Sequence, residues 1–341
     1  MSTLVENVAK VTAAHAALRT AIAAKGVAVP DGTKLTGMST LVEQIQTEPV
    51  PTNPRAAFAG DDATSIVVSK TMVVDMTATK NLSYYFYQCA VLTSLVLPEG
   101  FGQSVTNLRY CFSNCNVLTS LSLPAGFGQS ATDLNNCFSY CRKLTSLSLP
   151  AGFGQSATDL NSCFYQCWAL ALVLPAGFGQ NATDLNNCFY QCTIQTSLAP
   201  PAGFGQNATT IRHCFSSCTR LSSLVLPEGF GTNAADLERC FNYCVALTSL
   251  TLPAGFGQNA TSLNHCFDSC SNLTDITGNP NFKASLDLSP CTNLTHDSLM
   301  VVINGLQAVT TTQKLTLGAT NLAKLTDAEK KVATDKGWTL A

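Results

Sequence analysis

Leucines alternate with small polar residues in a run that recurs along most of the chain. In residues 118–124, LTSLSLP, Leu118, Leu121 and Leu123 are separated by Ser and Thr. This pattern predicts a short β-strand whose leucines face the interior while the hydroxyl side chains face solvent. Pro124 ends the strand because proline cannot donate to a continuing ladder. The GFG segment that follows predicts a turn around a buried phenylalanine, Phe127.

A second apolar pattern follows the turn. Leu134, Cys137, Phe138 and Cys141 are spaced i, i+3, i+4 and i+7. This is the spacing of an apolar stripe on an amphipathic helix, and Thr132 is in position to cap its N-terminus. Each repeat is therefore predicted to contain a strand, a Pro-Gly turn and a short helix.

The unit repeats every 26 residues, with one interval of 25. Seven full units run through residues 90–115, 116–141, 142–167, 168–192, 193–218, 219–244 and 245–270. The fourth unit has lost one residue from its strand segment, where WALALVLP stands in place of RKLTSLSLP. A period in the twenties with an L-x-x-L-x-L core indicates a leucine-rich-repeat solenoid. The predicted fold is an α/β solenoid of seven coils with a cap at each end.

Cysteines occupy two fixed positions of every unit. Fourteen of the sixteen form C-x3-C pairs: Cys111/Cys115, Cys137/Cys141, Cys163/Cys167, Cys188/Cys192, Cys214/Cys218, Cys240/Cys244 and Cys266/Cys270. On a helix the two side chains of a pair would lie parallel, so a disulfide within a pair would strain the helix. Zinc needs four converging ligands, and each pair supplies two. Disulfides between neighbouring coils are one alternative, and free thiols that pack as small interior hydrophobes are the interpretation that we favour.

The repeat motif resembles that of a known family. F-x-x-C-x-x-L-T-S-L-x-L-P, as it stands at Phe138–Pro150, is similar to the BspA-type leucine-rich repeat of bacterial surface and phage proteins. The resemblance covers about residues 81–295, and the tail CTNLTHDSLMVVINGL is similar to the closing cap of that family. The first cysteine of each pair and the uniform GFGQ segment lengthen these repeats relative to the family's usual unit.

The chain divides into five segments. Residues 1–46, alanine-rich and without cysteine, predict short helices that anchor or oligomerise the chain, with a trimer favoured, because so short a segment has little core of its own. A helical hairpin that packs on itself or on the first coil is the alternative. Residues 47–57 predict a Pro-rich linker. Residues 58–89 are expected to cap the solenoid, residues 90–270 hold the repeats, and residues 271–341 hold a partial repeat and the C-terminal cap.

Elements are also predicted inside the two ends. Residues 65–76 alternate enough for an opening strand, and the C-terminal cap predicts a helix over His296–Gln307, a strand over Lys314–Leu317 and a charged helix over Thr326–Lys336. Within the N-terminal segment, the run LRTAIAAKGVAVPDGTKLTGMSTLVEQI resembles N-terminal segments of phage tail or head fibre proteins. That resemblance implies a place on a virion.

Charge and hydropathy exclude several classes of partner. Charged residues make up 12% of the chain and the net charge is -2, which gives no electrostatic basis for binding nucleic acid. The longest apolar runs, such as Cys167–Leu174, are far shorter than the ~20 residues of a membrane-spanning helix. The first residues do not read as a secretory signal, because no basic segment leads into an apolar core. We therefore expect synthesis in a bacterial cytoplasm without membrane insertion.

No enzyme, cofactor or metal site is predicted. Motifs of the G-x-S-x-G, H-E-x-x-H and Walker types are absent, and no basic residue follows GFG to hold a phosphate. His213 and Cys214 are adjacent, but neighbouring residues on a helix point ~100° apart and do not form a nucleophile and base.

Side chains that vary between repeats define a candidate binding surface, which we call the recognition stripe. Its members are Tyr110, Tyr140, Arg142, Tyr165, Trp168, Tyr190, Arg212, His213, Arg220, Arg239, Tyr243 and His265. Tyr, Trp and Arg are common anchors of recognition surfaces, although drift on a solvent face would explain the variety equally well. A second candidate is the sheet's outer row, Val96, Ser122, Ser148, Val173, Ala199, Val225 and Thr251, whose small side chains suit protein contact or lateral assembly.

These observations favour a binding protein. The hypothesis is a phage fibre-type protein that recognises a protein or glycan on a bacterial surface and assembles as a homo-oligomer through its N-terminal helices. The alternatives are a structural protein that forms a filament or decorates a capsid, and an adhesin on the surface of a bacterium.

Overall fold

The chain is described by a computed structural model over residues 79–341, together with the backbone of residues 65–67. The helices predicted in residues 1–46 and the linker at 47–57 lie outside the described residues. Within them the strands are β1 (Ser65–Val67), β2 (Ser94–Val96), β3 (Ser120–Ser122), β4 (Ser146–Ser148), β5 (Ser197–Leu198), β6 (Ser223–Val225), β7 (Ser249–Leu252), β8 (Asp275–Gly278), β9 (Leu286–Asp287), β10 (Gln313–Thr316) and β11 (Trp338–Leu340). The helices are α1 (His296–Asn304), α2 (Gly318–Leu322) and α3 (Asp327–Asp335).

The strands stack in parallel from coil to coil, in a solenoid of about nine turns. Successive coils are in register, so that Ser120 pairs with Ser146 and Leu121 with Leu147. Burial alternates along β3 as predicted, since Leu121 is buried between two exposed serines. The predicted opening strand is present as β1, which pairs with β2.

The short helix predicted in every repeat is wrong. Residues 108–115 form consecutive turns in which Cys111 N–H donates to the Leu108 carbonyl, three residues back. The alternate N–H groups point along the solenoid instead, and Tyr110 N–H donates to the Asn135 carbonyl of the next coil at 2.9 Å. Thr132 caps no helix, and its hydroxyl donates to the Thr106 carbonyl of the preceding coil. The repeats are therefore stacked β-strands and turns rather than α/β units.

These turns nevertheless bury the side chains that the helical spacing selected. Leu134, Cys137, Phe138 and Cys141 are all fully buried. Two phenylalanine columns run through the coils, and consecutive rings within each column stack, as Phe112 and Phe138 do at a centroid distance of 5.2 Å. Gly128, with φ +65°, lies at a close approach between the columns, where an added Cβ would lie 2.9 Å from the Phe153 ring. The core is thus a continuous column of leucine, phenylalanine and cysteine.

The fourth coil interrupts the sheet. Strands β1–β4 form one four-stranded sheet and β5–β8 another, and residues 168–175 between them contain no strand. Gln195 stands in the next coil where other repeats have a core leucine. Its Oε1 accepts from Leu172 N–H at 2.9 Å and its Nε2 donates to the Leu172 carbonyl at 3.4 Å. The amide of Gln195 therefore takes over ladder hydrogen bonds that the shortened coil cannot make.

The C-terminal cap has the predicted elements with shifted ends. The helix predicted over His296–Gln307 ends at Asn304, where Gly305 follows, and the strand predicted over Lys314–Leu317 is β10. The predicted charged helix is α3, which begins after a capping box formed by Thr326 and Glu329. The sequence analysis missed α2 and β11, and β11 completes a small parallel sheet with β10 and β9.

Candidate functional site

All sixteen cysteines are free and buried. The second cysteine of each pair donates its S–H group to a phenylalanine carbonyl of the preceding coil, as Cys141 does to Phe112 at 3.1 Å and Cys244 to Phe215 at 3.1 Å. The thiol thus satisfies a backbone carbonyl inside the core, where an unpaired acceptor would be costly. The first cysteine of a pair donates no S–H hydrogen bond in residues 79–341; it is buried, and its sulfur lies against the backbone of the preceding coil, as Cys137 does at Phe112.

Burial suppresses thiol chemistry. Loss of solvent raises the pKa of the Cys218 and Cys270 thiols to about 12, and it raises the pKa of Cys214 well above its usual range. The thiolate is the nucleophile and the metal ligand, so these groups are unreactive at neutral pH. Among the described residues no three His, Cys, Asp or Glu side chains are placed to hold a metal ion.

The turns place exposed side chains on left-handed backbone. Sixteen non-glycine residues, two in each of eight successive coils, have φ between 54° and 63°. Six members of the recognition stripe stand at such positions: Tyr110, Tyr140, His213, Arg239, Tyr243 and His265. Left-handed backbone costs an ordinary L-residue about 1 kcal/mol or more, and glycine or asparagine would adopt it with less strain. The chain therefore holds large polar and aromatic side chains where smaller residues would fit the backbone better.

A column of Asx turns lies beside the stripe. The Asp159 carboxylate accepts from Asn161 N–H at 2.9 Å, and Asp184 accepts in the same way from Asn186 N–H. Burial raises the pKa of both carboxyls, and the neighbouring carboxylate of the preceding coil raises each further, against the lowering effect of these hydrogen bonds.

The stripe is concentrated in one contiguous group, which we call the aromatic–arginine cluster: Tyr140, Arg142, Tyr165, Trp168 and Tyr190. The Arg142 guanidinium lies over the Trp168 ring, 4.4 Å from its centroid, and 5.3 Å from the Tyr140 centroid. Tyr165 contacts Tyr140 edge-on at 5.2 Å and stacks on Tyr190 at 4.8 Å. The Nη2 atom of Arg142 donates to Gln166 Oε1 at 2.9 Å.

Other stripe residues do not join this cluster directly. Arg212 and Arg239 both pair with Glu238, each at 2.9 Å. His265 pairs with Asp268 at 2.6 Å, while Tyr243 is 51% exposed. Arg220 is also exposed, on a later coil.

Tyr110 belongs to a second aromatic group at the start of the described solenoid. It stacks on Tyr84 at 4.8 Å and meets Tyr87 edge-on, and the Arg109 guanidinium lies 5.3 Å from its ring. Tyr84 and Tyr87 were not predicted from the sequence. Tyr84 stands at the same repeat position as Tyr110, directly before the site of a first cysteine, and this register could have identified it.

His213 borders the aromatic–arginine cluster through a ring contact of 5.9 Å with Tyr190. Burial lowers the pKa of its imidazole, and the neighbouring arginines Arg212 and Arg239 lower it further. Cys214 beside it is fully buried, and its raised pKa keeps it a thiol. An activated pair needs a thiolate beside a protonated imidazole. Here the pKa shifts favour the neutral thiol of Cys214 and the neutral imidazole of His213.

The outer row of the sheet is exposed along its length. Val96 and Val225 are each 58% exposed and Val173 is 81% exposed. Val173 lies in the interrupted coil rather than in a strand.

Parallel leucine strands, GFG turns and stacked coils define a leucine-rich-repeat solenoid. The sequence profile of the BspA type leucine rich repeat region matches residues 54–195 and 185–289. The chain belongs to this family, which confirms the resemblance drawn from its repeat motif. None of the curated proteins matches the chain in sequence.

Solved structures with similar folds are distant in sequence. A leucine-rich repeat protein of T. pallidum is 17% identical with a TM-score of 0.32, over 72% of this chain and 84% of that chain. One from Bacteroides ovatus is 14% identical with a TM-score of 0.30, over 82% of this chain and 84% of its own. A leucine rich cell surface protein of Faecalibacterium prausnitzii is 17% identical with a TM-score of 0.27, over 63% of this chain and 79% of its own.

No helix within residues 79–341 combines the length and the apolar character that crossing a bilayer requires.

Proposed function

We propose that the chain is a non-enzymatic adhesion protein of the phage-fibre type, whose solenoid recognises a protein or glycan on a bacterial surface through the recognition stripe. Membership of the BspA-type family supports a binding role. The similarity of residues 18–45 to fibre proteins supports a place on a virion, with the N-terminal helices as a trimerising anchor.

The observation that carries the proposal is the aromatic–arginine cluster. Tyr140 contacts both Tyr165 and Arg142, and Arg142 also lies over Trp168. The other faces of each coil are explained by packing and by hydrogen bonds between coils, whereas packing does not require this grouping of Tyr, Trp and Arg.

Binding of the full chain to bacterial envelopes tests the proposal. The variant Arg142→Ser/Tyr165→Ser/Tyr190→Ser should lose most binding in a sedimentation assay, while Val173→Ser on the sheet face should bind like wild type. Equal binding by both variants, with circular dichroism showing that both are folded, would move recognition to another surface.

Assembly is tested by mass in solution. Light scattering should give a trimer for the full chain and a monomer for a version that begins at Ala56. A full-length monomer would contradict the anchoring role of residues 1–46.

A structural filament is a second candidate, because the outer sheet row exposes apolar side chains, with Val173 at 81%. It requires concentration-dependent polymers from the version that begins at Ala56. A bacterial surface adhesin is a third candidate, supported by family membership. It would give the same result in the binding assay, but the protein would not be part of a virion.

A further inference from the structure

Arg142 is a cation without a carboxylate partner. It forms no ion pair with any residue in the described part of the chain, whereas Arg212 and Arg239 share Glu238. Its Nη2 atom donates to Gln166, its Nε atom is buried without a hydrogen-bond partner, and its Nη1 atom forms no hydrogen bond with the described residues, so the Nη end of the guanidinium is the part left for a ligand. A guanidinium binds planar oxyanions through pairs of parallel N–H groups, so Arg142 has donor capacity left for an external anion.

Contacts with two aromatic rings fix the orientation of the guanidinium. Trp168 lies 4.4 Å and Tyr140 5.3 Å from it, and the Trp168 residue is still 39% exposed. A cation stacked on an indole keeps its edge free for in-plane hydrogen bonds. The exposed part of the indole offers an apolar, electron-rich surface of the kind that attracts polarised C–H groups.

The surroundings of the cluster are amides and phenols. Tyr165 and Tyr190 stack face to face at 4.8 Å, so the ring edges and the Tyr190 hydroxyl are the groups left for a ligand. Asn187, three residues before Tyr190, and Gln191, directly after it, form no side-chain hydrogen bond with any described residue. Amides and phenols both donate and accept, which matches the hydroxyl groups of a sugar. The cluster itself contains no aliphatic side chain that would anchor a protein partner.

We infer that the aromatic–arginine cluster binds an acidic glycan. The carboxylate of a uronic or sialic acid residue lies on the Arg142 guanidinium, and the C–H face of a pyranose packs on Trp168. Neighbouring sugar hydroxyls reach Tyr190 and the Asn187 and Gln191 amides. This inference rests on the proposed function and names the ligand class of the same site.

Matched ligands test the charge requirement. Full-length protein is titrated with oligogalacturonate and with oligosialic acid, each as the free acid and as its methyl ester, by calorimetry. At least one free acid should bind, with its ester at least about tenfold weaker, because esterification removes the anion while keeping the rings. Equal affinity for acid and ester, or no binding of either acid, overturns the inference.

Matched variants test the residues. Arg142→Gln and Trp168→Ala should each weaken binding of the free acid by about tenfold or more. The controls lie outside the recognition stripe: Lys331→Gln, a cation of α3 that is already paired with Asp335, and Val173→Ser on the outer row of the sheet. Controls that lose as much affinity as the cluster variants, or cluster variants that keep wild-type affinity, overturn the assignment. Thermal midpoints of all four variants establish that they are folded.

Competition on bacterial envelopes separates this inference from the proposed function. Displacement of bound protein by the free acid supports the glycan. Binding that resists the free acid but is abolished by protease treatment of the envelopes assigns a protein ligand and overturns the glycan, while the adhesion role stands. Absence of envelope binding with intact binding of the free acid contradicts the adhesion role alone.

Discussion

At the scale of single residues, the two cysteines of a coil have different surroundings although both are buried. Cys141 donates to the Phe112 carbonyl, while Cys137 fills core volume beside the phenylalanine column. The spacing of the cysteines could show that both face inward. It could not show which thiol donates a hydrogen bond, because that depends on a carbonyl of another coil.

The sequence does not predict, residue by residue, which side chains stand on left-handed backbone. Tyr, His and Arg together occupy seven of the sixteen positions and asparagine only three, so composition carries no signal of φ. The repeat register does carry a signal of positive φ. The left-handed positions directly precede the first and the second cysteine of each coil, and no β-branched residue stands at them in the described coils. β-Branched side chains tolerate positive φ least.

Asp159 gives a prediction at this scale. Asp159→Asn should match or exceed wild-type stability, because an amide oxygen caps the turn equally well, as Asn107 does in an earlier coil, and removes repulsion between stacked carboxylates. Asp159→Ala should lose about 1 kcal/mol, since Asn161 N–H loses its acceptor. Denaturant unfolding at neutral pH measures both.

The contribution of the Asp159 carboxylate to folding stability also depends on pH. Because the pKa of Asp159 is raised by burial, its ionised form opposes folding, and that cost disappears as pH falls through the folded pKa. The stability gap between Asp159→Asn and wild type should therefore shrink on acidification. A gap that widens at low pH would contradict the burial explanation.

At the scale of elements, the strands and the terminal cap were predictable and the repeat helices were not. Strand leucines and the Thr326–Glu329 capping box are local signals that survive in the structure. The i, i+3, i+4, i+7 spacing at Leu134–Cys141 is satisfied by two successive turns as well as by a helix. In a helix every N–H group would donate within the coil, whereas in these turns alternate N–H groups donate to the next coil. The spacing cannot distinguish the two, because the second arrangement exists only when coils are stacked.

Gln195 supplies the prediction at this scale. Gln195→Leu restores the residue found at this position in other repeats, yet it should lower the unfolding free energy by about 1–3 kcal/mol because Leu172 N–H and C=O lose their partners. Insertion of serine after Ala171 restores the length of the strand segment in the fourth coil. The hydrogen bonds from the Gln195 amide to Leu172 should then no longer be required for stability. The thermal midpoints of each change alone and of both together form a double-mutant cycle.

The two changes should be strongly coupled. The double variant is expected to be at least as stable as wild type, with one sheet continuous from β1 to β8. Additive losses would show that Gln195 does not compensate for the shortened coil.

At the scale of the whole molecule, low charge and high cysteine content have one cause. The strand, turn and phenylalanine faces of every coil form a single interior column, and an interior repeated seven times excludes ionised groups each time. The candidate site could be predicted in part for the same reason. Register identified the variable positions, but the grouping of Arg142 with Tyr140 and Trp168 depends on which side chains meet across coils.

The buried thiols predict alkaline destabilisation. Burial raises the pKa of Cys218 and Cys270 to about 12, whereas unfolded cysteine titrates near about 8.5. The stabilising contribution is therefore complete below the unfolded pKa and is lost as pH rises toward the folded one. Unfolding midpoints in reductant should fall between about pH 8 and about pH 11, less steeply in Cys218→Ala/Cys270→Ala. A midpoint that does not change with pH would contradict this account.

The central claim is that the cysteines serve the architecture of the solenoid rather than redox or metal chemistry, and counting reactive thiols tests it most directly. Without reductant or chelator, the folded chain should show almost no reaction with a thiol reagent, because all sixteen cysteines are free and buried. After denaturation the same sample should titrate as sixteen thiols per chain. A count near zero after denaturation, or rapid reaction in the folded state, would contradict it.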